Sequence, residues 1–162
     1  MMIGNDVVDL NLASLQSNWQ RKGYLNKIFT DVEQQLIAES LDKNDMVWQF
    51  WSRKEAVYKV ILQQGYLSGY YPKKIECLDI KNKAGIVQFD NKKYFTNTTL
   101  SGSCIHSIAV LNKVDLDYVI ALDWNINYVT FNKIPYLFKN NKLVNISKSH
   151  HGQFEKVVAL NV

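Results

Sequence analysis

A change of period at Gly65 constrains this chain more than any single motif. Before it, apolar residues recur at helical spacing; after it, they alternate. Residues 3–8 form a short apolar run that ends in acid, which predicts an N-terminal strand. Residues 11–20 and 31–41 carry helical patterning. Thr30 with Glu33 three positions on is a capping-box signature and predicts a helix start near Thr30. Asn44 or Asp45 can cap the next helix, which runs to about Gln63 and carries Val47, Trp48, Trp51, Val57, Tyr58 and Ile61 as an apolar stripe. Beyond Gly69-Tyr70-Tyr71-Pro72, a turn, residues 74–80, 85–89 and 93–98 alternate as strands, with a hairpin at Asp90-Asn91. Residues 104–111 and 117–124 are two more β-rich runs. Residues 126–138 fit neither period, and residues 143–147 and 154–160 form a closing strand pair connected through Gly152. Helices early and strands late predict an α+β fold, with N-terminal helices packed on a mainly antiparallel sheet. No repeat, low-complexity stretch or linker divides residues 1–162, so one domain is expected.

Composition excludes several classes. Apolar residues make up 47% and charged residues 21%, the balance of a soluble globular chain. No apolar run approaches the roughly 20 residues of a membrane helix. The first ten residues lack a basic segment and contain Asp6 and Asp9, unlike a secretory signal. Cys77 and Cys104 are isolated, which fits a reducing, cytoplasmic setting. A net charge of +4 suits an acidic partner, although surface lysine explains it as well. Nucleic-acid binding would call for interleaved basic and aromatic residues on the strands; Tyr94, Phe95 and Tyr118 occur without a Lys/Arg–Gly–aromatic motif, so no nucleic-acid partner is expected.

Three separated features carry chemistry. Gly4-Asn5-Asp6-Val7-Val8-Asp9 places an acid at the end of a strand. Such a carboxylate suits a hard cation such as Mg²⁺, or simply caps the following helix. In Trp51-Ser52-Arg53-Lys54-Glu55-Ala56-Val57-Tyr58-Lys59, Glu55 and Lys59 share one helical face. They are either an ordinary surface pair or a carboxylate that shares a cation with Asp6 and a lysine that meets phosphate. Ser147-Lys148-Ser149-His150-His151-Gly152 offers hydroxyls and imidazoles in what the pattern predicts to be a turn. The adjacent histidines point to opposite faces of an extended segment, which argues against zinc. Two acids from different elements, a lysine one turn on and a Ser/His segment are suited to a magnesium–diphosphate group. No GxxxxGK[ST], GxGxxG or GxSxG motif is present.

At these residues the chain resembles the 4′-phosphopantetheinyl transferase superfamily, in its short holo-acyl-carrier-protein-synthase style. Gly4-Asn5-Asp6-Val7-Val8 matches the family's opening Gly-x-Asp-x-Val strand. Phe29-Thr30-Asp31-Val32-Glu33 matches Phe-Thr-x-x-Glu, Trp51 with Lys54-Glu55-Ala56-Val57-Tyr58-Lys59 matches the aromatic and Lys-Glu-Ala-x-x-Lys, and Ser147-Lys148-Ser149-His150 matches Ser-x-Ser-His. The motifs occur in family order; the aromatic opening and the Ser-His-His-Gly segment look most like versions from Bacteroidetes-type bacteria. Departures are the reduction of Gly-x-Pro to Lys133-Ile134-Pro135, a long stretch from Tyr94 to Phe131, and Val8 where larger members carry a second metal-binding acid. Ile105-His106-Ser107 is a rival for the Ser-His motif; His150 is preferred because Pro135 precedes it and Gly152 and Phe154 follow.

The resemblance implies transfer of phosphopantetheine from coenzyme A to a serine of an acyl or peptidyl carrier protein, releasing 3′,5′-adenosine bisphosphate. It implies Asp6 and Glu55 as Mg²⁺ ligands, Glu55 as the base, and Lys59 as a phosphate contact. Lys54, Ser149 and His150 become further contacts to coenzyme A, and Arg21, Lys22 and Arg53 a docking surface for an acidic carrier helix. Short relatives are often trimers with sites between subunits, so a homo-oligomer is one expectation and a self-sufficient chain the other. A non-catalytic relative that only binds carrier or coenzyme A is the alternative function.

Overall fold

The structure, a computed structural model, describes residues 1–161. Strand β1 (Ile3–Asp9) leads into four helices, α1 (Leu10–Gln16), α2 (Tyr24–Ile28), α3 (Asp31–Glu39) and α4 (Lys43–Gln63). Nine strands follow: β2 (Glu76–Lys81), β3 (Ala84–Phe89), β4 (Lys92–Ser101), β5 (Cys104–Val110), β6 (Val119–Leu122), β7 (Val129–Phe131), β8 (Ile134–Lys139), β9 (Lys142–His151) and β10 (Phe154–Leu160). With β1 they form two five-stranded sheets, ordered β1-β5-β4-β3-β2 and β6-β10-β9-β8-β7, and every strand pairing is antiparallel. The α+β expectation holds, with two sheets where the pattern suggested one.

Local chemistry explains the boundaries. Helix α3 begins at the predicted capping box: the Thr30 hydroxyl accepts from the Glu33 N–H, and the Glu33 carboxylate accepts from the Thr30 N–H. Helix α4 is capped by Asp42, whose side chain accepts from the Asp45 N–H, rather than by Asn44 or Asp45. Helix α1 is shorter than its pattern and ends at Gln16. Residues 126–138, which fitted neither period, contain β7 and most of β8, joined through Asn132 and Lys133 at φ +50° and +66°. Asp90-Asn91 and Asn140-Asn141 turn the same way, as two-residue hairpins demand.

Helix α4 holds the first sheet. Its Val47, Phe50, Ala56, Val57, Val60 and Ile61 are buried against Ile75, Cys77, Val87, Tyr94 and Ile105. Each such side chain contributes about 1.5–3 kcal/mol of burial. Trp51 and Tyr58, at the edge of the stripe, are half-buried: they pack against the core and also line a cavity. The contact of α4 with β1 is close: a Cβ on Gly4 would lie 1.9 Å from the Ala56 carbonyl oxygen. Only glycine permits this approach, which brings Glu55 and Lys59 beside the strand that carries Asp6. On the other side, Ile3 and Val110 pack with Val158 and Leu160, so the second sheet is seated against β1 and β5.

Candidate functional site

Strand β1 is an edge strand, and its free polar groups are met by side chains. On β9, residues 147, 149 and 151 face it at the period of a strand. The Ser147 hydroxyl accepts from the Asn5 N–H at 2.8 Å, the Ser149 hydroxyl from the Val7 N–H at 3.0 Å, and His151 Nδ1 from the Asp9 N–H at 2.9 Å. His151 therefore carries its proton on Nε2, which donates to Gln16 Oε1 at 3.1 Å. From α4, Gln63 exchanges two hydrogen bonds with Ile3, and the Lys59 ammonium donates to the Asn5 carbonyl at 2.6 Å. The Ser-x-Ser-His segment is thus strand, not turn; the turn comes after it, at Gly152.

The two aspartates of β1 have different tasks. Asp9 caps α1, accepting from the N–H groups of Asn11 and Leu12, and its other oxygen accepts from the Gln153 N–H. The Gln153 bond is the main reason its carboxyl is held below the usual range, and the two cap bonds add to it. Gly152, at φ +57°, lies against this carboxylate, where a Cβ would meet Asp9 Oδ2 at 2.2 Å. Asp6 caps nothing. It lines a 240 Å³ cavity together with Glu55, Trp48, Trp51, Tyr24, His150 and His151. Ser149 donates to its Oδ1 at 3.1 Å, and Lys59 Nζ stands 4.0 Å from the same oxygen.

Burial and mutual repulsion shape the charges. Burial raises the Asp6 carboxyl above its ordinary value, against the pull of Lys59. The Glu55 carboxyl is pushed up to about 7, first by burial and then by Asp6, with Lys59 opposing. Burial also lowers Lys59, and the two acids resist that. Two carboxylates raised by burial at one cavity, Glu55 further by Asp6, and served by one ammonium, are short of positive charge. Among the described residues no group of three His, Cys, Asp or Glu is placed to hold a metal; Asp6 and Glu55 are the two carboxylates at this cavity.

Glu55 also borders two further cavities. One, of 380 Å³, lies between α4 and the second sheet and is lined by Tyr58, Lys59, Tyr128, Lys133, Pro135 and Lys148, among others. The other, of 300 Å³, has aromatic walls: Trp51, Tyr58, Tyr70 and Tyr71. The first was missed from the sequence because most of its outer wall comes from residues 126–138.

Several expected ligand contacts are corrected. Lys54 is 1% exposed; its ammonium pairs with Glu33 at 2.6 Å and donates to the carbonyls of Ile28 and Pro72. All three of its protons are engaged, so it is not a coenzyme A contact. Arg53 is fully buried and donates to Thr96 and to the Lys83 carbonyl, so it docks no carrier, whereas Arg21 and Lys22 are exposed. Ser149 is engaged with Val7 and Asp6 and orients the acid rather than offering a free hydroxyl. His106 sits on β5 and accepts from the Asn5 amide at 3.2 Å. Of the three histidines, His150 is the exposed one that borders the cavity of the two acids.

The family model of the 4′-phosphopantetheinyl transferase superfamily matches residues 2–122. Asp6, Glu55 and Lys59 lie inside the match; Ser147 to His151 lie beyond it. No curated relative matches the chain in sequence. Solved structures with a similar fold include the ACPS–CoA complex of Chronobacterium ammoniagenes, at 16% identity and TM-score 0.54, covering 67% of this chain and 93% of that one. The holo-[acyl-carrier-protein] synthase of Helicobacter pylori in complex with coenzyme A aligns at 18% identity and TM-score 0.55, over 68% of this chain and 100% of its own. The Thermotoga maritima holo-[acyl-carrier-protein] synthase aligns at 14% identity and TM-score 0.54, over 99% of this chain and 83% of its own. The family match over most of the chain, with Asp6 and Glu55 at one cavity and Lys59 beside Asp6, places this protein in the 4′-phosphopantetheinyl transferase superfamily.

Proposed function

We propose that this chain transfers the 4′-phosphopantetheine group of coenzyme A to a serine of an apo acyl or peptidyl carrier protein, as a Mg²⁺-dependent, cytoplasmic enzyme whose residues 1–162 act as one domain. The observation that carries this reading is the shared cavity of Asp6 and Glu55 with Lys59 beside Asp6. Hard oxygen donors short of positive charge fit Mg²⁺, and Asp6 and Glu55 would hold it. When bound, the ion neutralises charge on a diphosphate.

The chain's own residues account for the rest. Lys59, held by the carbonyls of Asn5 and Lys148, brings a fixed positive charge to the phosphate. The carrier serine oxygen bonds to the phosphorus that bears pantetheine, and its proton passes to Glu55, the carboxylate that borders all three cavities. The bond from that phosphorus to the bridging oxygen breaks, and 3′,5′-adenosine bisphosphate leaves with it.

Charge sorts the ends of the substrate. Lys59 and Lys133 border the 380 Å³ chamber, while among the described residues the 240 Å³ cavity has no lysine or arginine in its wall. The nucleotide end, with its several phosphates, belongs in the former. His150 is the imidazole available to the diphosphate at the latter. Asp6, Glu55, Lys59, Ser149 and His150 all come from one chain.

The test is to combine the protein with Mg²⁺, coenzyme A and an apo carrier protein and weigh the carrier. A gain of one phosphopantetheine supports the enzyme; carrier or coenzyme A binding without that gain assigns the chain to the non-catalytic alternative.

A further inference from the structure

Lys59 is suspended between two backbone carbonyls, one from each sheet. Asn5 on β1 supplies the first at 2.6 Å and Lys148 on β9 the second at 3.0 Å. What holds Lys148 therefore bears on where the Lys59 ammonium sits. The Lys148 side chain bends back over the second sheet: its ammonium stands 4.2 Å from the Trp124 ring centroid and 4.3 Å from the Tyr128 ring centroid, and donates to the Trp124 carbonyl at 3.1 Å. Trp124 is further braced by an edge contact with His150, 5.9 Å between ring centroids. A free lysine has many rotamers to lose, so a fixed two-ring cage is a costly arrangement for a solvated surface residue. Cation–π attraction to two partly desolvated rings offsets that cost.

We propose that Lys148, caged by Trp124 and Tyr128, is a positioning residue that fixes the carbonyl to which Lys59 is anchored. This rests on the phosphate-contacting role of Lys59 proposed above. The three cage residues all lie beyond residue 122, outside the part that matches the family model. The second sheet is thereby more than a wall: through one peptide group it sets the direction of a lysine carried by α4. Its flanking contacts, Ser147 with Asn5 and Ser149 with Val7, hold β9 in register with β1, and the cage fixes the one residue between them.

The rival role for Lys148 is direct contact with substrate phosphate, since it also borders the 380 Å³ chamber. Kinetics separate the two. Under the positioning role, Lys148→Met lowers kcat about ten- to hundredfold, because a misplaced group loses effective molarity, while KM for coenzyme A stays within about twofold. Lys148→Arg, which retains the cation over the rings, recovers most of the rate. Tyr128→Leu, at an exposed position that does not threaten folding, shows a smaller loss of kcat. In a Lys59→Ala background, Lys148→Met causes no further loss. The ¹⁵N signal of the Lys59 ammonium moves in Lys148→Met and Tyr128→Leu; this readout requires no turnover, so it still decides the matter if the wild-type chain transfers nothing and the proposed function fails. A rise in KM alone, a loss that adds to that of Lys59→Ala, or an unmoved Lys59 signal would overturn the proposal.

Discussion

The hydroxyl of Ser149 donates to the Asp6 carboxylate at 3.1 Å while accepting the N–H of Val7, so one side chain orients the acid and satisfies the strand that carries it. Ser147 performs the second task without the first, meeting the N–H of Asn5. Replacing either serine by alanine orphans a buried N–H, at a cost of about 1–3 kcal/mol. Both variants should lose several degrees in thermal melting. Ser149→Ala should in addition weaken Mn²⁺ or Mg²⁺ binding several-fold, and Ser147→Ala should not. Equal metal affinities in the two variants would show that Asp6 needs no help from β9.

Glu55 gives the site a pH dependence. Its carboxyl is pushed up to about 7, so below that value the neutral acid dominates in the free protein. A divalent ion must displace this proton, hence apparent affinity should fall about tenfold per unit as pH drops below 7, and level off above it. Calorimetric titration of Mn²⁺ from pH 5.5 to 8.5, repeated in buffers of different ionisation enthalpy, would report the released proton. Glu55→Gln should abolish phosphopantetheine transfer and remove the pH dependence, with melting temperature retained or raised because a repelling, buried charge is gone. A wild-type turnover in that variant would remove Glu55 from the mechanism.

Lys54 was read from sequence as a ligand contact and is a buried structural cation. Glu33 caps α3, pairs with Lys54 and accepts the N–H of Cys77, tying a helix start, α4 and β2 together. Lys54→Met leaves that carboxylate buried without its cation and should destabilise by about 3–5 kcal/mol. A Glu33→Gln change made in the same chain should restore part of the loss. In whatever fraction remains folded, KM for coenzyme A should match wild type; a large rise in KM would return Lys54 to the substrate.

The sequence carried part of this information unused. Val47, Phe50, Lys54, Val57 and Ile61 keep one helical spacing, so Lys54 stands on the core face of α4, and the capping-box Glu33 is the anion such a lysine requires. Asp6, Glu55 and Lys59 drew attention because an acid in an N-terminal strand and an acid–lysine pair on a half-apolar helix are unusual for solvated surface, although Asp6 stands in the middle of β1 and it is Asp9 that ends the strand. The role of β9 was not. Ser147, Ser149 and His151 alternate with Lys148 and His150 at strand period, but their partners are backbone N–H groups of β1, and no side-chain pattern announces an acceptor for main chain. The 380 Å³ chamber was hidden for a related reason: it arises from packing between the second sheet and α4, and residues 126–138 show no single period because β7 and β8 are short and mostly exposed or half-exposed.

His106 should make folding sensitive to acid. It accepts a hydrogen bond from the Asn5 amide, which can only donate, so a proton on the accepting nitrogen would face another donor. Burial, with Lys156 and Lys59 nearby, lowers the imidazole to about 4 from the ordinary 6.5. The sign follows directly. Between these values the unfolded chain binds a proton that the folded chain refuses, so stability is full above about 6.5 and declines as pH falls toward 4. The gap corresponds to at most about 3 kcal/mol, and partial exposure of the ring reduces it. Urea unfolding at pH 7.5 and pH 4.5 should therefore show a loss of about 1–3 kcal/mol in wild type. In His106→Asn, whose amide oxygen also accepts from Asn5 but does not titrate, that loss should shrink by the same amount. An unchanged pH dependence in the variant would mean that the acid sensitivity comes from other groups and that His106 is free to take its proton in the folded chain.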